Sequence, residues 1–70
     1  MIKKLFNSEL YTSANEKLAD EENVVYVNTD KIVSIVEHHF NDPKEKDFAV
    51  IYLEDGSSIE TYTAIDIILQ

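Results

Sequence analysis

The most regular alternation of apolar and polar residues lies in residues 48–62, on both sides of an Asp55-Gly56 dipeptide. Asp-Gly between two alternating runs is typical of a β-hairpin, because glycine adopts a positive φ without steric cost. The sequence therefore predicts two antiparallel strands here. The remaining segments are interpreted by how they would pack on this hairpin.

The register of the hairpin depends on which side chains would share a face. A two-residue loop places Ile51 opposite Glu60, whereas a three-residue loop places Ile51 opposite Ile59. The longer loop gathers one apolar set on a single face, and burial of that face favours it. That set is Ala49, Ile51, Leu53, Ile59 and Thr61. We therefore predict a loop of residues 54–56 with Gly56 left-handed. The opposite face would carry Phe48, Val50, Tyr52, Glu60 and Tyr62.

Shorter apolar runs predict further strands in residues 1–6, 24–27 and 33–39. The third run is nearly continuous in apolar character through Val36, which is typical of a central strand. Between the second and third runs, Asn28-Thr29-Asp30 supplies residues that cap a single helical turn.

Three other segments lack a strand pattern. Residues 7–23 fit either a helix of one to three turns, with a capping box from Ser13 to Glu16, or an ordered loop. Residues 41–47 contain the single proline and predict an exposed turn. At the C-terminus, Thr63 to Asp66 matches a capping-box pattern and predicts a short helix. The predicted fold class is α+β and mainly β, with an antiparallel sheet of about four strands, open or barrel-like, and a short C-terminal helix.

Length and composition limit the architecture. Residues 1–70 form one domain, because a chain this short has no room for a second core. The absence of cysteine excludes disulfides and thiolate metal sites. No apolar run reaches transmembrane length and the N-terminus lacks a signal-peptide core, so we expect a cytoplasmic protein. Abundant Ile, Lys and Asn without arginine suggest a bacterial or phage source.

Charge is the most unusual bulk property. Fourteen acidic residues against six lysines give a net charge of −8, which disfavours direct contact with nucleic acid or an anionic membrane. One interpretation is that the charge keeps a small apolar domain soluble. The other is an acidic face that imitates nucleic acid and attracts a basic partner. The acids assigned to that face are Asp20, Glu21, Glu22, Glu54, Asp55 and Glu60.

Residues suited to catalysis or metal binding are few. His38 and His39, with Glu37 and Asp42, form the only candidate cluster, but adjacent side chains on a strand point to opposite faces and cannot readily chelate one ion. We find no nucleophile motif and no phosphate-binding glycine loop, since Gly56 belongs to the turn. We therefore expect no enzyme activity, no metal and no cofactor.

An aromatic set forms the candidate binding site. It comprises Phe48, Tyr52 and Tyr62, with Tyr26 placed near them. Residues 10–18 could cover this set as a second core layer. Alternatively, the set is an exposed patch rimmed by acids, which is typical of a protein interface. The sequence leaves both interpretations open.

Part of the chain carries two spaced patterns. Val27, Asn28, Ile32 and Ile35 match an I-N-x-x-x-I-x-x-I element, and Ile51, Leu53 and Gly56 match an I-x-L-x-x-G hairpin, followed by Ala64, Ile65, Asp66 and Ile67 in the tail. In these features residues 24–69 resemble the FlbD-like flagellar proteins and similar short phage-encoded proteins. The resemblance implies a β-rich fold with a C-terminal helix and no known catalysis. The chain departs from the pattern by a longer N-terminal segment and by Tyr62-Thr63 in place of Glu-Ser.

These observations predict a small acidic, non-catalytic module that binds another protein or a second copy of itself, or serves as a structural component. The alternative is an acidic inhibitor that occupies the nucleic-acid site of a DNA- or RNA-binding protein.

Overall fold

The computed structural model describes residues 1–18, 23–63 and 68, and strands dominate these residues. The strands are β1 (Ile2–Leu5), β2 (Ser8–Tyr11), β3 (Val25–Asn28), β4 (Ile32–His38), β5 (Phe48–Leu53) and β6 (Ser58–Thr61). All pairs are antiparallel, in a two-stranded sheet β1-β3 and a four-stranded sheet β2-β6-β5-β4. The mainly β, antiparallel prediction is confirmed. The described strands form two sheets and no closed barrel, so the barrel-like option is wrong for them.

The β5–β6 hairpin has the register that face burial favoured. Ile51 pairs with Ile59 and Ala49 with Thr61. Gly56 is left-handed at φ 90°, and its N–H donates to the Leu53 carbonyl at 3.0 Å. The three-residue loop is therefore confirmed.

One hydrophobic core joins the two sheets. Its buried members are Leu5, Val25, Val27, Ile51, Ile59 and Ile68, and Leu10, Ile32, Ile35 and Leu53 pack around them. Alternation within each strand explains this division, since successive side chains point to opposite faces. The side of each sheet that carries these residues is its inner face.

Residues 7–23 contain a strand that the sequence did not reveal. β2 pairs with β6, so that Leu10 lies opposite Ile59 on the inner face. The chain then turns back through Asn15, which is left-handed at φ 63°, to an isolated bridge between Tyr11 and Lys17. A helix beginning at Ser13 is wrong for residues 13–18, because this turn interrupts any helical run.

β4 lies at an edge of the four-stranded sheet, so its prediction as a central strand is wrong. Its inward residues Ile32 and Ile35 pack against the core. By contrast Val33, at an irregularity between Ile32 and Ser34, is 67% exposed, and Val36 is 43% exposed. The apolar run reflects one buried face together with exposed valines.

Other local predictions are confirmed. The first and second predicted strands correspond to β1 and β3. A 3-10 turn at Thr29–Lys31 follows Asn28, whose side chain accepts a hydrogen bond from the Asp30 N–H. Residues 41–47 are exposed.

The predicted C-terminal helix lies largely outside the described residues, because residues 64–67 and 69–70 are not among them. Ile68 is described and is buried in the core. Within the described part of the chain, no helix has the length and apolar character needed to cross a membrane.

Candidate functional site: the outer face of the four-stranded sheet

The outer face of the four-stranded sheet is the side that points away from the core. Strand register places on it, from β2 to β4, Glu9, Tyr11, Ser58, Glu60, Phe48, Val50, Tyr52, Ser34, Val36 and His38. Tyr62, next after β6, lies beside Phe48. A solvated face of an antiparallel sheet is ordinarily polar, whereas this one is rich in aromatic and branched residues.

Four rings form an aromatic cluster, defined as His38, Phe40, Phe48 and Tyr62. His38 stacks on Phe48 with 4.6 Å between ring centroids and 10° between planes. Phe40 and Tyr62 each lie 5.9 Å from the Phe48 ring. These distances suit favourable aromatic pairs, and Tyr62 remains 49% exposed. The cluster is thus a continuous aromatic surface in contact with solvent.

Of the aromatic residues singled out from the sequence, the structure brings Phe48 and Tyr62 into contact. Tyr52, 44% exposed, is on the same outer face but further along β5. Tyr26 belongs to the other sheet, where it is 65% exposed and the Lys4 ammonium lies 5.9 Å from its ring centroid. Tyr26 is therefore separate from the cluster.

Of the two alternatives left open by the sequence, a second core layer from residues 10–18 is not found over this face. β2 extends the sheet at its edge, with Leu10 directed inward and Tyr11 at the margin of the outer face. Two open clefts border Tyr62. One, of about 520 Å³, is lined by Tyr62 and by residues 40–43 and 45–47, and the other, of about 380 Å³, is lined by Tyr62, Glu9 and Glu60 among others.

A pair of carboxylates lies on the β2–β6 half of the outer face. Glu9 lies directly opposite Glu60, an arrangement that is unfavourable unless a cation intervenes. Lys17 Nζ supplies that charge at 2.8 Å from Glu9 Oε1, and the Tyr11 hydroxyl donates to Glu9 Oε2 at 2.9 Å. The Lys17 hydrogen bond, then that of Tyr11, lowers the pKa of Glu9. In the described part of the chain, no lysine forms an ion pair with Glu60.

The acids assigned to the predicted acidic face are not all together. Glu54 and Asp55 lie in the hairpin loop, where Glu54 pairs with Lys31 at 3.0 Å. Asp55 accepts hydrogen bonds from the Ser57 hydroxyl and N–H, which lower its pKa. Glu60 lies within β6 on the outer face. Residues 20–22 fall outside the described part of the chain.

The two histidines occupy different environments, as alternation predicts. While His38 stacks on Phe48, His39 lies with Nε2 2.6 Å from Glu37 and Nδ1 3.0 Å from Asp47. The Asp47 hydrogen bond, followed by that of Glu37, raises the pKa of His39. The carboxylates contact opposite nitrogens of the ring, a geometry unlike a shared metal site. The described residues contain no group of three or more side chains arranged to hold a metal ion.

Sequence reasoning missed His38 and Phe40 as members of the aromatic cluster. No local sequence pattern marks these two residues. His38 joins the cluster because it pairs with Phe48 across β4 and β5. Phe40 is held nearby by its N–H, which donates to Asp47 Oδ1 at 3.0 Å.

No protein-family model, curated protein or solved structure matches this chain. The resemblance to FlbD-like proteins stays a prediction.

Proposed function

We propose that this chain is a non-catalytic protein-binding module whose contact surface is the outer face of the four-stranded sheet. The observation that carries the proposal is the difference between the two faces of β5. Ala49 and Ile51 are buried inward, yet Phe48, Val50 and Tyr52 form an apolar row outward. Apolar surface that the fold does not bury is available to a partner.

The arrangement of charge supports a protein as the ligand. The β4–β5 half of the outer face is uncharged at Val36, Val50 and Tyr52. Carboxylates border this apolar half on the neighbouring strands, with Glu60 of β6 directly opposite Val50 and Glu9 of β2 beyond it. An apolar, aromatic region bordered by polar residues is the usual anatomy of a protein interface, and tyrosine is common among residues that dominate binding energy.

The test is affinity capture from a lysate of the cells that encode the protein, with matched tyrosine variants. Tyr62→Ser and Tyr52→Ser alter the outer face, whereas Tyr26→Ser removes a still more exposed tyrosine from the other sheet. We expect a specific captured protein to be lost with the first two variants and retained with the third. Equal capture by all folded variants would contradict the proposal. Loss with Tyr26→Ser alone would move the site to the other sheet.

Repeating the capture with excess DNA separates this function from nucleic-acid mimicry. A contact centred on apolar surface is insensitive to DNA and weakly sensitive to salt. An acidic inhibitor competes with DNA for its partner, and its binding weakens steeply as salt screens the charges. Displacement by DNA would therefore favour the mimicry hypothesis, and retention would favour the proposal.

A further inference from the structure

The two edges of the four-stranded sheet differ in how they end. At the β2 edge, the Leu18 N–H donates to the Leu10 carbonyl at 2.9 Å and the Ser8 N–H donates to the Asn23 carbonyl at 2.8 Å. The chain itself thus covers that edge. At the other edge, β4 pairs with β5, and no described strand pairs with its second side.

Exposure along β4 agrees with an uncovered edge. Five of its seven residues are exposed, including Val33 and Val36. Proteins ordinarily protect such an edge with lysine, proline or inward charges. β4 contains neither lysine nor proline, and its single inward-facing charge is Glu37, opposite Ala49 near the end of the strand. The irregularity at Val33 lies at the other end, and residues 34–36 between them are uncharged and in continuous register with β5.

The distribution of charge along the chain bears on whether a second copy can pair with the β4 edge. The chain has a net charge of −8, which opposes most contacts between copies. Residues 32–36 are uncharged, so this edge is a place where two copies can approach closely. In an antiparallel pairing centred on Val36, Glu37 lies opposite Ile35 of the second copy and His38 lies opposite Ser34. No two carboxylates are then directly opposed.

We infer that two copies of this chain associate through β4, antiparallel and centred on Val36, and join their four-stranded sheets into one continuous sheet. The contact uses backbone hydrogen bonds, as in other cases of strand addition. Val36 meets its own counterpart on the two-fold axis, so the interface is isologous. The inference does not depend on the proposed function, because it rests on the unpaired backbone side of β4, and Val36 is shared by both proposals.

The first test measures mass by sedimentation equilibrium between about 10 μM and about 1 mM, a range that detects weak dimers. We expect the wild-type chain to form dimers within this range. Val36→Lys places two like charges on the axis and should abolish the dimer, whereas Tyr26→Lys, on the other sheet, should not. A wild-type chain that remains monomeric throughout would overturn the inference.

The second test fixes the register and uses the absence of cysteine from the chain. Residues directly opposed in an antiparallel pair have Cα atoms close enough for a disulfide. Val36→Cys should therefore cross-link with itself on mild oxidation, and Ser34→Cys should cross-link when mixed with His38→Cys. Tyr26→Cys serves as the collisional control. Cross-linking of Val36→Cys no faster than this control would refute the register even if a dimer exists.

The two proposals fail separately. If Tyr62→Ser abolishes partner capture but the chain is monomeric, the outer-face proposal is supported and the β4 dimer is refuted. If the chain dimerises with the predicted cross-links but the tyrosine variants capture the same proteins as wild type, the β4 dimer is supported and the outer-face proposal is refuted.

Discussion

A buried pair of hydroxyl groups tests the placement of β2, the strand that the sequence did not reveal. Ser8 and Thr61 are both 0% exposed, and their side-chain oxygens lie 2.7 Å apart. Ser8 Oγ is also 2.9 Å from the Phe6 carbonyl oxygen. Since serine carries one hydroxyl proton, both contacts are satisfied when Ser8 donates to Phe6 and accepts from Thr61. The Thr61 oxygen in turn accepts the Thr63 N–H at 3.0 Å.

The two substitutions leave different groups unpaired. Ser8→Ala leaves the Thr61 proton buried without an acceptor, which costs about 1–3 kcal/mol. Thr61→Val keeps the side-chain shape but removes one hydrogen bond to Ser8 and one from Thr63, a loss of about 1–2 kcal/mol. In the double variant neither buried hydroxyl remains. We therefore expect the double variant to lose less stability than the two single losses added together, with a coupling of about 1 kcal/mol.

Urea denaturation at fixed protein concentration measures these free energies of unfolding. A loss of 1 kcal/mol also lowers Tm by roughly 4–8 °C in a domain of this size. Thr61→Val combined with Ser34→Ala is the control, because Ser34 is on the outer face of β4 and should not couple. Additivity of the Ser8 and Thr61 losses to within about 0.3 kcal/mol would refute the contact, and with it the β2–β6 register.

Three further outcomes are expected. Ile51→Ala should lower the free energy of unfolding by about 2–5 kcal/mol, whereas Val50→Ala, on the outer face, should cost about 1 kcal/mol or less; equal losses in urea denaturation would contradict the register. Gly56→Ala should destabilise by about 1–2 kcal/mol, because a φ of +90° strains any residue with a Cβ, and an unchanged Tm would contradict the left-handed loop. The stabilisation from the His39 contacts should be present below the ordinary pKa of histidine and lost as pH rises through the raised pKa. An NMR titration of the ring should give a midpoint above 6.5, and Asp47→Asn should lower it; an unmoved midpoint would exclude Asp47 as the cause.

The hairpin could be predicted because its information is local. Asp55-Gly56 fixes the turn, and only one register places Ile51 and Ile59 together on a buried face. The same register predicted that Phe48, Val50 and Tyr52 share a face. The β5–β6 part of the candidate site therefore follows from alternation within fifteen residues of sequence.

β2 could not be recognised because one of its two inward positions is polar. Ser8 is buried beside Leu10, and its hydroxyl is satisfied by Thr61, which is 53 residues away. That partner is invisible to any local pattern. Asn7 and Asn15 did carry a signal, since asparagine is enriched at left-handed positions; both have positive φ and bend the chain beside β2.

The prediction that β4 is a central strand failed because apolar residues in the strand were taken as a sign of burial. Its valines suggested burial on both faces, but strand order is a property of the whole sheet, and β4 is at its end. Val33 and Val36 are exposed there. An apolar run in an edge strand is a better indicator of association than of a central position, since an exposed edge is a template for pairing.

The distribution of apolar residues links stability to association. Among the described residues, seven hydrophobic side chains are buried while ten large ones are exposed. Apolar burial contributes about 25 cal/mol per Å², so a small core leaves a 70-residue chain with little reserve stability. Contacts on β4 or on the outer face would bury part of the exposed set and favour the folded chain by mass action. If β4 pairs two copies, Tm must therefore rise with protein concentration, and Val36→Lys must remove that dependence.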